Sequence, residues 1–390
     1  MHPREPKRLL YIAQHAWASP IKVGSHAIAT HFLESGWKVA YISAPISPFH
    51  FLRPNRSSFK ERLKAMLSGG GKEFEGYLSH FVPFSLITPG NKIFNNANWI
   101  INYWQILSIP NVLRKLTKHG FGEVDTIFID SIYQPFWLDV IKYDKCIVRL
   151  ADFNDGFKGF GRGAMRSQKK IIYAADLVVT ASKSLGIDIR KNFSKRNLHI
   201  SNGVDIKRFS NFLPAPAEYQ SMTGAIAVFV GDINFWVDLE IIAYCAGVLT
   251  DVNFVLIGPK FNQYLGMHLP ANVHFLGTRG YDDVPAYLLH ATVGLIPFHF
   301  NKHQPLITHI NPLKLYEYLG AGIPVVSTFL PEVDGISDHV RFCKSKEEFL
   351  IALQDFLRAP PLKEIVSEGA QDYSWEERLR PLFAWLDSNG

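Results

Sequence analysis

The feature that most constrains this chain is an alternation of short apolar runs with longer stretches of helical periodicity, sustained along most of its length. Short runs rich in Val, Ile, Leu and Phe fit strands buried on both faces, and such strands pair in parallel through crossover helices. In the first half the runs are Leu9 to Ala16, Val39 to Ala44, Thr126 to Ile129, Cys146 to Leu150, Leu177 to Ala181 and Leu198 to Ser201. In the second they are Ala225 to Val230, Phe254 to Ile257, Val273 to Leu276, Val293 to Phe298 and Ile323 to Ser327. Each half therefore predicts its own α/β sheet.

At 390 residues the chain exceeds what one hydrophobic core usually serves, so two domains are expected. The segment Phe212-Leu213-Pro214-Ala215-Pro216-Ala217 has prolines that disfavour helix and ladder alike and reads as a stiff linker. The expected division is 1–210, 218–372, and a C-terminal helix within 373–390 that packs back on the first domain. In that last piece a cap-like Ser374 precedes Glu376 and Glu377, and Leu379, Leu382, Phe383 and Leu386 form an apolar stripe. Lys60 to Lys72, containing Gly69-Gly70-Gly71, reads as a mobile loop and a candidate part of an acceptor site. Phe94 to His119 breaks the rhythm with Trp99, Tyr103, Trp104 and Ile106 followed by Arg114, Lys115 and Lys118. An aromatic face beside a basic end suits a membrane surface, but the favoured reading is an ordinary helix packed on its sheet with a solvated end.

Composition narrows the class. Hydrophobic residues make up 47% and charged ones 19%, too apolar a balance for disorder. Cys146, Cys245 and Cys343 are odd in number and outside any CxxC pattern, so neither a disulfide framework nor a zinc site is suggested, and a cytoplasmic setting is expected. No run approaches the roughly 18 apolar residues of a membrane span, and the polar start Met1 to Arg8 lacks a signal-peptide core. The net charge of +6 fits a nucleotide phosphate, an anionic membrane face or a nucleic acid alike. His299, His303 and His309 crowd one loop without an adjoining carboxylate, and no Asp-x-Asp pair occurs, so metal-independent chemistry is expected. Gly159 to Ala164 fits a G-x-G-x-x-A string, yet it does not directly follow a strand and reads as a loop.

The most informative stretch runs from Asn311 to Val326. Pro312 suits a helix start and Gly320 and Gly322 its end, with a buried strand following. The helix then begins just after the carboxyl end of the Val293 to Phe298 strand, where α/β sheets place their ligands. A helix start offers free backbone N–H groups to a phosphate, and Lys314 adds a full charge there. Glu317, three residues on, faces the same side and could accept hydrogen bonds from ribose hydroxyls. The same spacing also describes an ordinary surface Lys/Glu pair.

Pro312-x-Lys314-x-x-Glu317 followed by Gly320-Ala321-Gly322-Ile323-Pro324-Val325-Val326 resembles the donor-site signature of GT-B glycosyltransferases. Asn202-Gly203-Val204-Asp205, Phe229-Val230-Gly231-Asp232, Leu256-Ile257-Gly258-Pro259 and Asn272-Val273-His274-Phe275-Leu276-Gly277 fall in the family's order. The resemblance implies two Rossmann-like domains facing a cleft, the first binding an acceptor and the second a nucleotide sugar. It assigns Gly231, Asp232, Ile233, Phe298, Leu313, Lys314 and Glu317 to the donor site, with Glu317 on the ribose. Many retaining members carry a further acid eight positions before that Glu, where this chain has His309. Within the fold the sequence is more similar to the xanthan-type glucuronosyltransferase group, whose members invert and also lack that acid.

That similarity implies a catalytic base at Asp152, after the strand Ile147-Val148-Arg149-Leu150. A strand-end carboxylate can take the acceptor hydroxyl proton. It can equally close the strand as a turn residue, and Asp155 competes for the role. Gly24 and Ser25, after the first strand, are candidates for an acceptor or phosphate loop, or for a plain turn. The expected partners are a UDP-sugar donor, with UDP-glucuronate one choice, and a glycan or lipid-linked acceptor at the inner membrane face. No cofactor and no nucleic acid are expected. A uronate would need a cation, which Lys314, Lys302 or Arg279 could supply. A retaining transferase and a non-catalytic sugar-nucleotide-binding protein remain alternatives.

Overall fold

The computed structural model describes residues 5–51, 59–68, 70–89, 97–152, 161–259, 267–300 and 307–388. The polypeptide forms two compact units, Met1–Ser201 with Pro381–Gly390, and Asn202–Arg380.

In the first unit the strands are β1 (Arg8–Ile12), β2 (Lys38–Ile42), β3 (Gly71–Glu73), β4 (Leu78–Phe81), β5 (Glu123–Ile129), β6 (Lys142–Leu150), β7 (Leu177–Thr180) and β8 (Asn197–His199). They lie in the order β3-β4-β2-β1-β5-β6-β7-β8, parallel except for the β3 edge. Its helices include α1 (Gly24–Glu34), α2 (Phe59–Leu67), α3 (Asn98–Tyr103), α4 (Val112–Lys118), α5 (Arg162–Ala174) and α6 (Lys183–Phe193). Leu9, Leu10, Tyr11 and Ile12 are wholly buried, as a central strand covered on both faces requires. In the parallel register Tyr11 sits beside Tyr41 and Phe128, so their side chains leave the same face. The rings stack in a row, 5.3 and 4.7 Å between centroids.

The second unit carries β9 (Ile226–Val230), β10 (Asn253–Ile257), β11 (Val273–Gly277), β12 (Val293–Ile296), β13 (Val325–Thr328) and β14 (Val340–Cys343), all parallel in the order β11-β10-β9-β12-β13-β14. Helices α7 (Leu239–Val248), α8 (Val284–Leu289), α9 (Leu313–Gly320) and α10 (Lys346–Arg358) accompany it. The final helix, α11 (Trp375–Ser388), starts where the Glu377 amide donates to Ser374 Oγ, the cap anticipated from sequence. Its stripe is buried at Leu379, Leu382 and Leu386, each burial contributing about 2 kcal/mol.

Three expectations are corrected. The division falls at Ser201/Asn202, ahead of the proline segment, because Val204 and Phe209 belong to the second core and Val204 exchanges backbone bonds with Tyr373 and Trp375. The supposed loop from Lys60 to Lys72 is mostly α2 and then β3; Phe59 and Ala65 pack inward, and only glycine fits at 71, where a Cβ would strike the His80 ring. Gly69 lies outside the described residues. Of the Phe94 to His119 segment, 94–96 lie outside the described residues, and the rest is not one amphipathic helix but α3, a 3-10 turn over Trp104–Leu107 and α4. Ile100, Ile101 and Trp104 are core, whereas Trp99, Tyr103 and Ile106 are more than half exposed, at 53%, 57% and 67%. Of the G-x-G-x-x-A string, Gly161 caps α5 and Arg162 to Ala164 are its first turn; Gly159 and Phe160 lie outside the described residues. Among the described residues no helix is long and apolar enough to cross a membrane.

Candidate active site

The second unit gathers its polar groups at the carboxyl ends of β9, β10 and β12. Gly231, following β9, has φ +142, and Gly258, following β10, has φ +146. A Cβ on Gly258 would land on the Gly231 carbonyl oxygen, so the two strand ends approach as only glycines allow. On the other side of Gly231, a Cβ would lie 2.7 Å from Lys314 Nζ. The lysine is thus laid across bare backbone.

Helix α9 explains how Lys314 gets there. Pro312 holds an extended φ of −78 at the N-cap, without a capping side chain, and Leu315 N–H returns to the Pro312 carbonyl. Among the described residues the Leu313 and Lys314 amides have no acceptor, as expected for the first turn of a helix. Lys314 sits 3.9 Å from the Phe229 centroid and 5.3 Å from that of Phe298, so its ammonium rests on aromatic faces instead of in water. Burial lowers its pKa from the usual lysine value to about 7, against the opposing pull of Asp232 and Glu317. Asp232, beside Asn234 Nδ2 at 3.3 Å, is itself pushed up by burial.

Glu317 lies one turn along, its side chain 21% exposed, and accepts a hydrogen bond from Arg208 Nη1 at 3.3 Å. Burial raises its pKa while Arg208 and then Lys314 pull it down. Gly231, Asp232, Phe298, Lys314 and Glu317 are therefore one cluster, with Leu313 at its helix start. Ile233 follows them with its side chain in the core and its N–H donating to the Pro259 carbonyl. His299 pairs with Asp238 at 2.9 Å. Arg279 is engaged by Glu218 at 2.6 Å, the Tyr287 hydroxyl at 2.8 Å and the Leu276 carbonyl; Lys302 and His303 lie outside the described residues.

In the first unit Asp152 follows β6 and opens into a recess of about 360 Å³ shared with Met165, Lys169, Tyr173, Asp188 and Asn192. Its surface reaches solvent, yet the protein mass around it raises its pKa, with Arg149 lowering it and Asp130 raising it further. Arg149 is buried and meets Asp130 at 3.2 Å, and the Tyr11 hydroxyl donates to Asp130 at 3.1 Å. Arg149 thus ion-pairs with Asp130 and acts on Asp152 electrostatically at the end of β6. Asp155 lies outside the described residues. Gly24 and Ser25 do not form a loop: they open α1, both buried, and the Ser25 hydroxyl is 3.1 Å from that of Tyr41. The neighbouring His26 ring takes the Val23 amide and faces the Ala16 carbonyl, and burial lowers its pKa to about 3.

Arg208, Tyr281 and the Tyr11–Asp130–Arg149 set were missed from sequence. Arg149 left a signal, a charge inside an otherwise apolar strand.

Two Rossmann-like units, the second with its polar cluster at the strand ends, define the GT-B glycosyltransferase fold. Residues 11–152 match the family described as glucuronosyltransferase GumK, N-terminal domain, and residues 224–359 match glycosyl transferases group 1. The first half of the chain is thus similar to the one family and the second half to the other. It is 31% identical over 185 residues to a Bacillus subtilis (strain 168) protein described as putative teichuronic acid biosynthesis glycosyltransferase TuaH; the match covers 44% of this chain and 45% of that one, under half its length. Sucrose-phosphate synthase from Thermosynechococcus elongatus has the same fold, with TM-score 0.70 at 13% identity over 98% of this chain and 100% of that one. Anabaena HepE, solved in complex with UDP and glucose, gives 0.65 at 13% identity over the same shares.

Proposed function

We propose that this chain moves a sugar from a UDP-sugar to a hydroxyl of a glycan or lipid-linked oligosaccharide in surface polysaccharide synthesis, with inversion and without a metal. The observation that carries the proposal is the seat of Lys314, laid across Gly231 beside the free amides of α9. A fixed cation and two unpaired N–H groups suit a diphosphate that gains negative charge as it leaves. The bond from the anomeric carbon to the phosphate oxygen breaks as the acceptor oxygen attacks, UDP departs, and Asp152 takes the hydroxyl proton. Crowding that raises the Asp152 pKa makes it a better base than a carboxylate of ordinary pKa. Glu317 holds the ribose. The description of the family matched by the first half as a glucuronosyltransferase favours a uronate donor, and the description of TuaH as a putative teichuronic acid biosynthesis glycosyltransferase favours a surface-polymer acceptor.

Replacing Asp152 by Asn should cut turnover at least about 100-fold, the usual scale for a general base, while leaving UDP affinity unchanged. Unchanged turnover would remove Asp152 from the mechanism. Peripheral contact with the cytoplasmic membrane face is supported by exposed Trp99, Tyr103 and Ile106 near Arg114 and Lys118. Sedimentation with anionic vesicles should fall when Trp99 and Ile106 become Ser; equal sedimentation argues against that surface.

A further inference from the structure

We infer that Arg208 is the positioning residue that makes Glu317 a ribose reader. The inference rests on the donor-site proposal above and extends it to a group outside the α9 signature.

Arg208 lies in the 3-10 turn Ile206–Phe209, just after Asn202-Gly203-Val204-Asp205. The turn is fixed from both sides. Asp205 Oδ1 caps the Lys207 amide, and Phe209 is buried in the core. A Cβ on Gly320 would meet Val204 at 2.9 Å and both Ile206 and Phe209 at 3.5 Å, so the turn packs directly on the end of α9.

From this base the guanidinium spans two elements. Nη1 donates to Glu317 Oε1 at 3.3 Å, Nη2 donates to the Tyr281 carbonyl, and the guanidinium carbon lies over the Tyr281 ring, 3.4 Å from its centroid. The Arg208 side chain is only 11% exposed. A planar fork stacked on a ring and bonded at two corners has little freedom to turn. It therefore holds Oε1 of Glu317 in place.

The consequence lies in what remains. One oxygen of Glu317 is taken, and among the described residues Oε2 receives no hydrogen bond. The ionised carboxylate is acceptor-only and its oxygens are then strongest as acceptors, and a ribose hydroxyl is a donor that fits Oε2. Arg208 favours the ionised form against burial. The same guanidinium ties the segment after β11 to α9 through Tyr281, so the wall around the nucleoside and its hydroxyl reader share one support.

The test compares UDP with 2′-deoxy-UDP and 3′-deoxy-UDP by calorimetry on the full chain. One charge-assisted bond lost should weaken at least one deoxy analogue about tenfold or more relative to UDP in the wild type. In Arg208→Met, which keeps the stacked bulk but not the donors, that ratio should collapse toward one. Arg208→Lys, which keeps the charge but cannot reach both partners, should give an intermediate ratio, and thermal unfolding checks that each variant is folded. A general loosening of the site would weaken UDP and its analogues together and leave the ratio unchanged. An unchanged ratio in either folded variant overturns the role of Arg208. A wild type that binds no UDP, or Glu317→Gln with the wild-type ratio, overturns the donor-site proposal instead.

Discussion

Raising the pH from 6 to 8 should weaken binding of a UDP-sugar about tenfold, about 1.4 kcal/mol, through one residue. Lys314 is held near pKa 7 by burial against Phe229 and Phe298. A bound diphosphate favours the ammonium and so raises that pKa in the complex. Below pH 7 the lysine is already charged and binding needs no proton; above it, binding must take one up. With a free pKa of about 7, the neutral fraction is about one tenth at pH 6 and about nine tenths at pH 8, which gives the tenfold loss. Calorimetry at pH 8 in buffers of different ionisation enthalpy should then show uptake of about 0.9 proton per site. A UDP-sugar is the right probe because its diphosphate is esterified at both ends and does not itself titrate in this range. Lys314→Met should bind about 10-fold or more weakly at pH 6 and show no pH dependence. A flat wild-type affinity with no proton uptake would refute the placement of Lys314 against the diphosphate.

Gly231→Ala should lose donor binding and some stability, because its φ of +142 disfavours a side chain and the added carbon would displace Lys314; binding and thermal unfolding read the two effects. Removing one partner of the buried Asp130–Arg149 pair, as in Arg149→Met, should cost about 3 to 5 kcal/mol by leaving a charge uncompensated. That is a drop in melting temperature on the order of 10 °C for a unit of this size, with partial recovery when Asp130→Asn is added; equal melting of wild type and single variant would contradict it.

The strands legible in the sequence are those buried on both faces, such as β1 and β9, since continuous apolar runs have few other uses. β3, β4 and β14 escaped notice because Lys72, Ser79, His80 and Arg341 interrupt the apolar character of short strands near the sheet edges. Lys314 and Glu317 were readable because helix-start chemistry is local. Arg208 was not, because its contact with Glu317 spans 109 residues of chain and its own segment looks like a polar turn. Where α1 begins was less legible for a related reason: a small residue after a strand signals a loop, but Gly24 and Ser25 are already the first turn of the helix, with the Ser25 hydroxyl 3.1 Å from that of Tyr41 in β2.

The most direct measurement is titration of the full chain with UDP. The proposed donor site requires one saturable site per chain, retained in Asp152→Asn and abolished when Lys314→Met and Glu317→Ala are combined. Saturable binding that survives the combined variant would place the nucleotide elsewhere, and no binding by the wild type would contradict a UDP-sugar donor altogether.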